Sequence, residues 1–529
     1  MSIPVFLGID IGSASVRAGL FDAHGQRLAF AVCPIQQFRP KPLFVEQSSA
    51  NIWTQTCIAV REAVATAAID PTRIVSIGVD ATCSLVSVGA GGQPVSIAET
   101  GEAERDIIMW MDHRAGEQAA AINATKDAAL AYVGGEVSIE MELPKVLWLK
   151  QNFPERYTAA WRFFDLADYL VWRLSDADIA SVCTLTCKWN YLAHENRFSE
   201  SLLAAVDLSD MTGKIPPLVL PLGSAAGKLS SRAAAELGLP AGVVVATGII
   251  DAHAGGLALV STEPLGSLAI ICGTSNCHML VNPDPVMVPG VWGPYYGAMI
   301  PGWWLGEGGQ SAAGALLDWT LRQSDSWPLL ESMAKEDNRN IYAVLNDWVA
   351  DLEKRESWPT RNLHVLCDHH GNRSPRANPH ARGAVIGLTL EQGNDALARL
   401  YLATLQALAY GTRHIVDSMN AAGHKIERIV MCGGGTKNPL WLRENADATG
   451  CKIQLVSEED AVTLGAALLG AVASGAFASL PAAAAMLVHP GGSVKPRRET
   501  KTFHDAKYAV YLQLYEDMER CRSAMQAWQ

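Results

Sequence analysis

Nowhere does the chain sustain the ~18–20 consecutive apolar residues that a bilayer span needs. Positive charge is scarce as well. Forty-two Lys and Arg stand against 54 Asp and Glu, a formal net charge of −12, which argues against a general binder of nucleic acid or anionic membranes. A site for one phosphorylated ligand needs few charges and stays open. No basic segment leads into an apolar one at the start. Met1-Ser2-Ile3-Pro4 runs directly into the strand-like Val5-Phe6-Leu7-Gly8-Ile9, so no signal peptide is readable. C-x-x-C pairs are missing. The 11 cysteines are odd in number and scattered from Cys33 to Cys521, the pattern of reduced thiols in a cytoplasmic protein. Cys183 and Cys187 could face a metal together with Cys272, Cys277 and His278, but no ligand pairing recurs and no metal centre is read there. G-x-x-x-x-G-K-[ST] and G-x-G-x-x-G are absent, which removes the P-loop and the dinucleotide fingerprint.

What is present is a chain of 529 residues, 49% hydrophobic, too long for one ordinary core. Its first 90 residues read as strands and turns with one helix near 50–68. Ile9 and Ile11, then Val16, Ala18 and Leu20, flank a tight small-residue turn at Gly12-Ser13-Ala14-Ser15. Ile74 to Asp80 is a buried strand ending on polar residues. The span 105–240 is helix-rich, with a helix opening at Pro144 and another over Arg232–Leu237. Near residue 243 the opening design returns. Ser267 to Cys272 and Asn276 to Val281 flank Gly273-Thr274-Ser275, and aligning Gly12 with Gly273 puts Ile271 where Asp10 stands. The chain thus reads as a duplicated α/β unit of which one copy keeps its acid. Asp395 to Met419 is a long amphipathic helix, and Asp460 to Ala478 a small-residue helix suited to close packing on a sheet. Residues 323–360 read as an insertion or lid.

Several residues could carry chemistry. Asp10 ends an apolar strand beside small residues that let backbone N–H groups approach a phosphate, and its carboxylate could hold Mg²⁺ through water. A turn-capping Asp reads the same. Asp251 precedes a small-residue turn in a segment with few charges and suits a general base for an alcohol, or a helix cap. Trp110-Met111-Asp112-His113-Arg114 combines donors, an acceptor and an aromatic wall, as a polyhydroxylated ligand or an exposed helix start would require. Lys188 and Glu307 are charges among apolar and small neighbours, so each needs a partner, either a ligand or an internal ion pair.

In this order, the pieces resemble the FGGY family of carbohydrate kinases. Gly8-Ile9-Asp10-Ile11-Gly12-Ser13 resembles the first phosphate motif, and Pro144-Lys145-Val146-Leu147-Trp148-Leu149 the helix signature. Asp251-Ala252-His253-Ala254-Gly255 and Cys272-Gly273-Thr274-Ser275 resemble the catalytic-base and second phosphate segments. Gly433-Gly434-Gly435 with Asn438-Pro439 resembles the adenosine motif, and Arg373-Ser374-Pro375 with Ala381-Arg382-Gly383 another family stretch. Asp80-Ala81-Thr82-Cys83-Ser84, Cys187-Lys188-Trp189 and the run from Glu307 to Ser311 are most similar to the D-ribulokinase branch. The glycerol kinases' Arg-Glu pair is not found at Thr82-Cys83-Ser84.

The resemblance implies an α/β fold of two actin-like (ribonuclease H-like) lobes around a cleft, read as 1–262 and 263–529. It implies ATP and Mg²⁺, and transfer of a phosphoryl group to the terminal hydroxyl of D-ribulose. L-ribulose, ribitol or xylulose as acceptor, or a non-catalytic sugar or nucleotide sensor, are the alternatives. It implies Asp251 as base and Asp10 at the metal. It assigns the sugar to Lys188, Glu307, Asp112, His113 and Asp251, and the nucleotide to Ser13, Gly273, Thr274, Gln310, Gly434, Gly435 and Asn438. Expected partners are a sugar and ATP, with no nucleic acid and no membrane, and a homodimer is compatible with the reading.

Overall fold

The computed structural model describes residues 3–528. Met1 and Ser2 of the opening tetrapeptide lie outside them. The first strand, β1 (Val5–Ile11), is buried along its whole length, as a strand covered on both faces must be. It pairs antiparallel with β2 (Ser15–Asp22), which pairs with β3 (Arg27–Pro34). Helix α1 (Ser49–Ala67) starts where the Ser48 side chain accepts from the Asn51 N–H and stops at Ala68 in the left-handed region. Strand β4 (Ile74–Ala81) then lies parallel to β1 on its other side, with Asp10 and Asp80 in register.

The helical stretch that follows contains α2 (Glu142–Asn152) and α3 (Val182–Lys188). Pro144 falls in the first turn of α2, where its missing N–H costs nothing. β5 (Ala225–Lys228) and β6 (Val244–Ala246) complete the order β5-β6-β4-β1-β2-β3, and a short strand at Ile249–Ile250 also pairs with β4. That short strand feeds α4 (Asp251–Val260).

A second seven-stranded sheet repeats the scheme. β7 (Ser267–Cys272) and β8 (Asn276–Asn282) form its hairpin. β9 (Trp292–Tyr296) and β10 (Trp304–Gln310) extend it antiparallel. These two strands were not expected, because their Gly and Pro residues break the alternation by which a strand is read. Residues 323–360 hold helices Trp327–Glu336 and α5 (Ile341–Arg355), the latter packed on the long α6 (Asn394–Ala421). β11 (Arg428–Cys432) runs parallel to β7, then come α7 (Pro439–Thr449), β12 (Lys452–Val456), α8 (Ala461–Ala473) and β13 (Pro490–Val494). The order β9-β10-β8-β7-β11-β12-β13 mirrors the first sheet.

Helix α8 is the clearest case of sequence dictating packing. A Cβ on Gly8 would stand 2.1 Å from the Thr463 carbonyl oxygen, and one on Gly78 1.7 Å from that of Ala466. On the helix side, a Cβ on Gly465 would stand 2.0 Å from the Ala254 carbonyl oxygen. The small-residue helix therefore lies directly against β1 and β4 of the first sheet and against α4. It ties the late part of the chain to the early part.

Candidate active site

Between the two sheets lies a cavity of about 1050 Å³. Ser13, Trp110, His113 and Glu140 line it from the first half, and Thr274, Ser275, Trp319 and Arg373 from the second. Both Gly-hydroxyl hairpin turns point at this gap. In each, the glycine N–H bonds across the turn, Gly12 to the Ser15 carbonyl at 3.0 Å and Gly273 to that of Ser275 at 2.9 Å. Gly273 and Thr274 are exposed at the turn, their carbonyls taken by the N–H groups of Ala313, Gly314 and Ala315. The Ser13 hydroxyl accepts from the Trp110 indole at 2.9 Å, which anchors the first turn.

Asp10 is buried and accepts from Arg17 at 2.6 Å, yet its Oδ1 has no protein partner. Beside it in the sheet both oxygens of Asp80 are buried and unpartnered as well. Burial raises the Asp10 carboxyl to about 6 against the opposing charge of Arg17, with Asp460 pushing the same way as burial. Burial and the charge of Asp10 raise Asp80 well above the usual carboxylate range. Orphaned carboxylate oxygens are what a hard divalent cation takes, so these two residues fit Mg²⁺.

Asp251 is the first residue of α4 and half-buried, with Oδ1 accepting from the Ala252 N–H at 2.7 Å. Burial raises its carboxyl, opposed by that hydrogen bond and by His253, Lys188 and Arg17. Ile250 occupies the cap position of α4, so Asp251 is its first helical residue and not the cap.

Lys188, at the end of α3, is buried with its Nζ 4.7 Å from the centre of the Trp292 ring. Glu307 on β10 is buried, faces Trp292 across the strand pair, and bonds His253 Nε2 through Oε2 at 3.1 Å. Burial opposes its charge, but Lys188 and His253 bring the Glu307 carboxyl down to about 2. Lys188 is raised well above its ordinary value despite burial, through Cys83 and Glu307. The lysine and glutamate thus stay charged beside one another.

Three expected site residues are placed otherwise. Asp112 does not face the cleft. Its carboxylate accepts from the Val45 N–H at 2.6 Å and from Arg114 Nη2 at 2.7 Å, and Arg114 also grips Glu46. Asp112 is a buried acid fully paired within the fold, and its neighbours Met111 and His113 line the cavity. Gln310 is likewise spent, accepting from Asn276 and donating to the Leu408 carbonyl, both at 2.8 Å. The side chain of Asn438 caps α7 through the Leu440 N–H at 3.1 Å and donates to the Tyr401 hydroxyl at 2.7 Å. By contrast Gly434 is exposed, with nothing within 4 Å of a Cβ placed on it, while Gly435 sits 2.9 Å from the Cys272 Cβ by the same measure. The triglycine turn therefore stacks on the end of the second hairpin.

Other residues enter that sequence reasoning gave no role. Arg373 reaches across the cleft to Glu140 at 3.3 Å and lies 5.2 Å from the Trp292 ring. Asp80 could have been found, since it repeats the strand-end acid of Asp10. Glu140 carried no signal. The cysteines regroup too. His278 bonds the Thr412 hydroxyl at 3.1 Å, and Cys183 and Cys187 meet His253 instead, at 3.2 and 3.9 Å.

A doubled α/β frame holding buried acids at one hairpin, backbone donors at the other and a charged pocket between them defines a two-lobed phosphotransferase. Residues 5–258 match the FGGY family of carbohydrate kinases, N-terminal domain, and residues 268–474 its C-terminal domain. The chain belongs to that family and is a sugar kinase. It is 44% identical to a human FGGY carbohydrate kinase domain-containing protein over 98% of both chains. It is 36% identical to a D-ribulokinase of Saccharomyces cerevisiae, over 89% of this chain and 72% of that one. The fold matches a crystal structure of xylulose kinase from Rhodospirillum rubrum with a TM-score of 0.81 at 24% identity, covering 98% of this chain and 99% of that one. The two-lobe actin-like architecture is thereby established. Among the described residues no helix is long and apolar enough to cross a membrane.

Proposed function

We propose that the protein transfers the γ-phosphoryl group of ATP to the terminal primary hydroxyl of D-ribulose, giving D-ribulose 5-phosphate and ADP. The observation that carries this reading is the half-buried carboxylate of Asp251 at the head of α4, raised by burial and set among the charges of Lys188, His253 and Arg17. A raised carboxyl is better matched to accepting an alcohol proton near neutral pH than an ordinary one. The similarity to a D-ribulokinase supports the choice of acceptor.

In this reading Lys188 and Glu307 hold the sugar hydroxyls, with His113 a further donor at the cavity wall. Asp251 takes the proton of the attacking hydroxyl as the new O–P bond forms and the bond from the γ-phosphorus to the β,γ-bridging oxygen breaks. The transition state is loose, so positioning and charge neutralisation outweigh base strength. The Thr274 N–H and hydroxyl, in the turn that the Gly273 N–H closes, and the turn at Ser13 meet the phosphates, and Gly434 and Gly435 border the adenosine. Asp10 and Asp80 would hold Mg²⁺, which when bound neutralises phosphate charge. Closure of the lobes would keep water from the nucleotide.

The test is ADP release with Mg-ATP against D-ribulose, L-ribulose, D-xylulose, ribitol, L-arabinitol and glycerol. Selective turnover of D-ribulose is expected. Preference for another member would overturn the choice of acceptor, and no turnover with ATP still bound would favour a sensor. Asp251→Asn should lower kcat by about 10²-fold or more, and a near-normal kcat would remove Asp251 from its role.

A further inference from the structure

The catalytic helix carries a second ionisable residue that the mechanism above does not use. His253 stands two positions after Asp251 on α4, and the 3.6-residue helical period turns the two side chains to different sides. His253 is fully buried. On one side its Nε2 lies 3.1 Å from Glu307 Oε2. On the other its Nδ1 lies 3.2 Å from the Cys183 sulfur and 3.9 Å from that of Cys187.

The two cysteines share one face of α3, four residues apart, on the helix that ends in Lys188. The imidazole therefore bridges the helix that presents the base, the helix that presents Lys188 and the strand that presents Glu307. Among the described residues no hydrogen bond goes to the other oxygen of Glu307.

We infer that His253 is the positioning residue of the sugar pocket: its Nε2–H holds one oxygen of Glu307 and turns the other to the sugar, while Cys183 takes Nδ1–H. A ring that donates from both nitrogens is held in one orientation when each meets its own acceptor. The Cys183 sulfur at 3.2 Å is a soft acceptor that does not compete for Glu307. Electrostatics agree with the geometry. Burial opposes charge on both groups. Even so, the hydrogen bond from Cys187 and the charge of His253 draw Cys183 down, and Cys183 and Glu307 raise His253.

The inference rests on the sugar-kinase reading of this pocket, in which Glu307 meets the acceptor. It explains why a buried charged histidine sits beneath a binding site, where an apolar side chain would cost less.

The experiment separates the two ring nitrogens. In His253→Gln the amide nitrogen can replace Nε2 and reach Glu307. In His253→Asn it replaces Nδ1 and cannot. KM for D-ribulose, KM for ATP and kcat are measured for both, with thermal melts to show that each variant is folded. Expected is a rise of about tenfold in the sugar KM for His253→Asn, with the ATP KM within about twofold, and most of the loss recovered in His253→Gln.

A double-mutant cycle with Glu307→Gln completes the test. If His253 acts through Glu307, the double variant is little worse than Glu307→Gln alone, not the product of the two single losses. Multiplicative losses, or a sugar KM unchanged in a folded His253→Asn protein, overturn the inference. One zinc ion per chain by elemental analysis, lost in Cys183→Ser, also overturns it, because Nδ1 would then be a metal ligand. A sugar KM unmoved by Glu307→Gln is a different failure: it removes Glu307 from the pocket and with it the reading on which the inference stands.

Discussion

The two hairpins share one frame and carry opposite chemistry. At one level of the first sheet, Arg17, Asp10 and Asp80 stand side by side on β2, β1 and β4. At the matching level of the second, Cys277, Ile271 and Cys432 stand on β8, β7 and β11. Strand directions and neighbours are the same in both, and both turns close through a glycine N–H. One row gathers two carboxylates against one guanidinium. The other holds no charge, and burial pushes the Cys277 and Cys432 thiols up to about 12. A duplicated frame has thus been divided into a side that can hold a cation and a side that can only offer backbone donors. Two acidic rows would oppose a polyphosphate from both directions, so the asymmetry suits a charged ligand lying between them.

The largest effect should come from erasing the charged row. Asp10→Asn is expected to lower kcat/KM by about 10²–10³-fold, as when a preorganised electrostatic group is removed. Its melting temperature should hold or rise, because the carboxylate it removes is buried at a cost. Activity within tenfold of wild type would make the two rows functionally alike. The converse is Ile271→Asp, which writes an acid into the neutral row. The Ile271 side chain packs against Gly255 of α4, where a glycine Cβ would stand 2.7 Å from its Cδ1. Replacing it loses that packing and half-buries a carboxylate with no counterpart of Arg17. We expect a loss of about 2 kcal/mol in stability by denaturant unfolding and no rescue of Asp10→Asn. Rescue would show that the rows are interchangeable.

The frame was legible in the sequence because it is local. Apolar strands around a Gly-hydroxyl turn announce a hairpin twice, and the register of Asp10 with Ile271 follows from aligning two glycines. The small residues of α8 announced close packing on a sheet, though not on which one. What stayed hidden is what tertiary pairing decides. Asp112 sits beside His113 in sequence, but Arg114 and the Val45 N–H claim it. Asn438 and Gln310 lie in the right motifs and spend their side chains on the fold. Gly306, Gly308 and Gly309 around Glu307 hide the alternation of β10, whose pairing with β8 aims that glutamate. His253 stood in a quoted motif and showed nothing until Cys183 and Glu307 were seen on either side of it.

The charged row should also separate in pH from the acids around the sugar pocket. Asp10 is raised from 3.8 to about 6, so its folded state holds a proton that the unfolded chain has already released. Stability from this group is fully present below about pH 4 and is lost as pH rises through about 6. Glu307 and Glu140 run the other way. Both are lowered from 4.5 to about 2, so their contribution is present above about pH 4.5 and is lost as the pH falls toward 2. Activity needs the acids ionised. kcat/KM at low Mg²⁺ should therefore fall about tenfold per pH unit below about 6, and the limb should move to lower pH as Mg²⁺ is raised, since cation and proton compete for the same oxygens. A limb that ignores Mg²⁺ would place the titrating group outside the charged row.

The smallest effect tests the neutral side. Gly434 and Gly435 are adjacent in the turn that stacks on the second hairpin, but a methyl group meets different surroundings at each. At Gly435 it would crowd Cys272 at 2.9 Å, so Gly435→Ala should cost about 1 kcal/mol of stability before any ligand is added. At Gly434 nothing lies within 4 Å, so Gly434→Ala should leave the melt unchanged. If that open space belongs to the adenosine, its KM for ATP should still rise, by about threefold to tenfold, the size of one crowded contact. The sugar KM should not move. A Gly434→Ala protein with unchanged melt and unchanged ATP KM would show that the nucleotide lies elsewhere. The second hairpin would then be a structural copy of the first, with no ligand of its own.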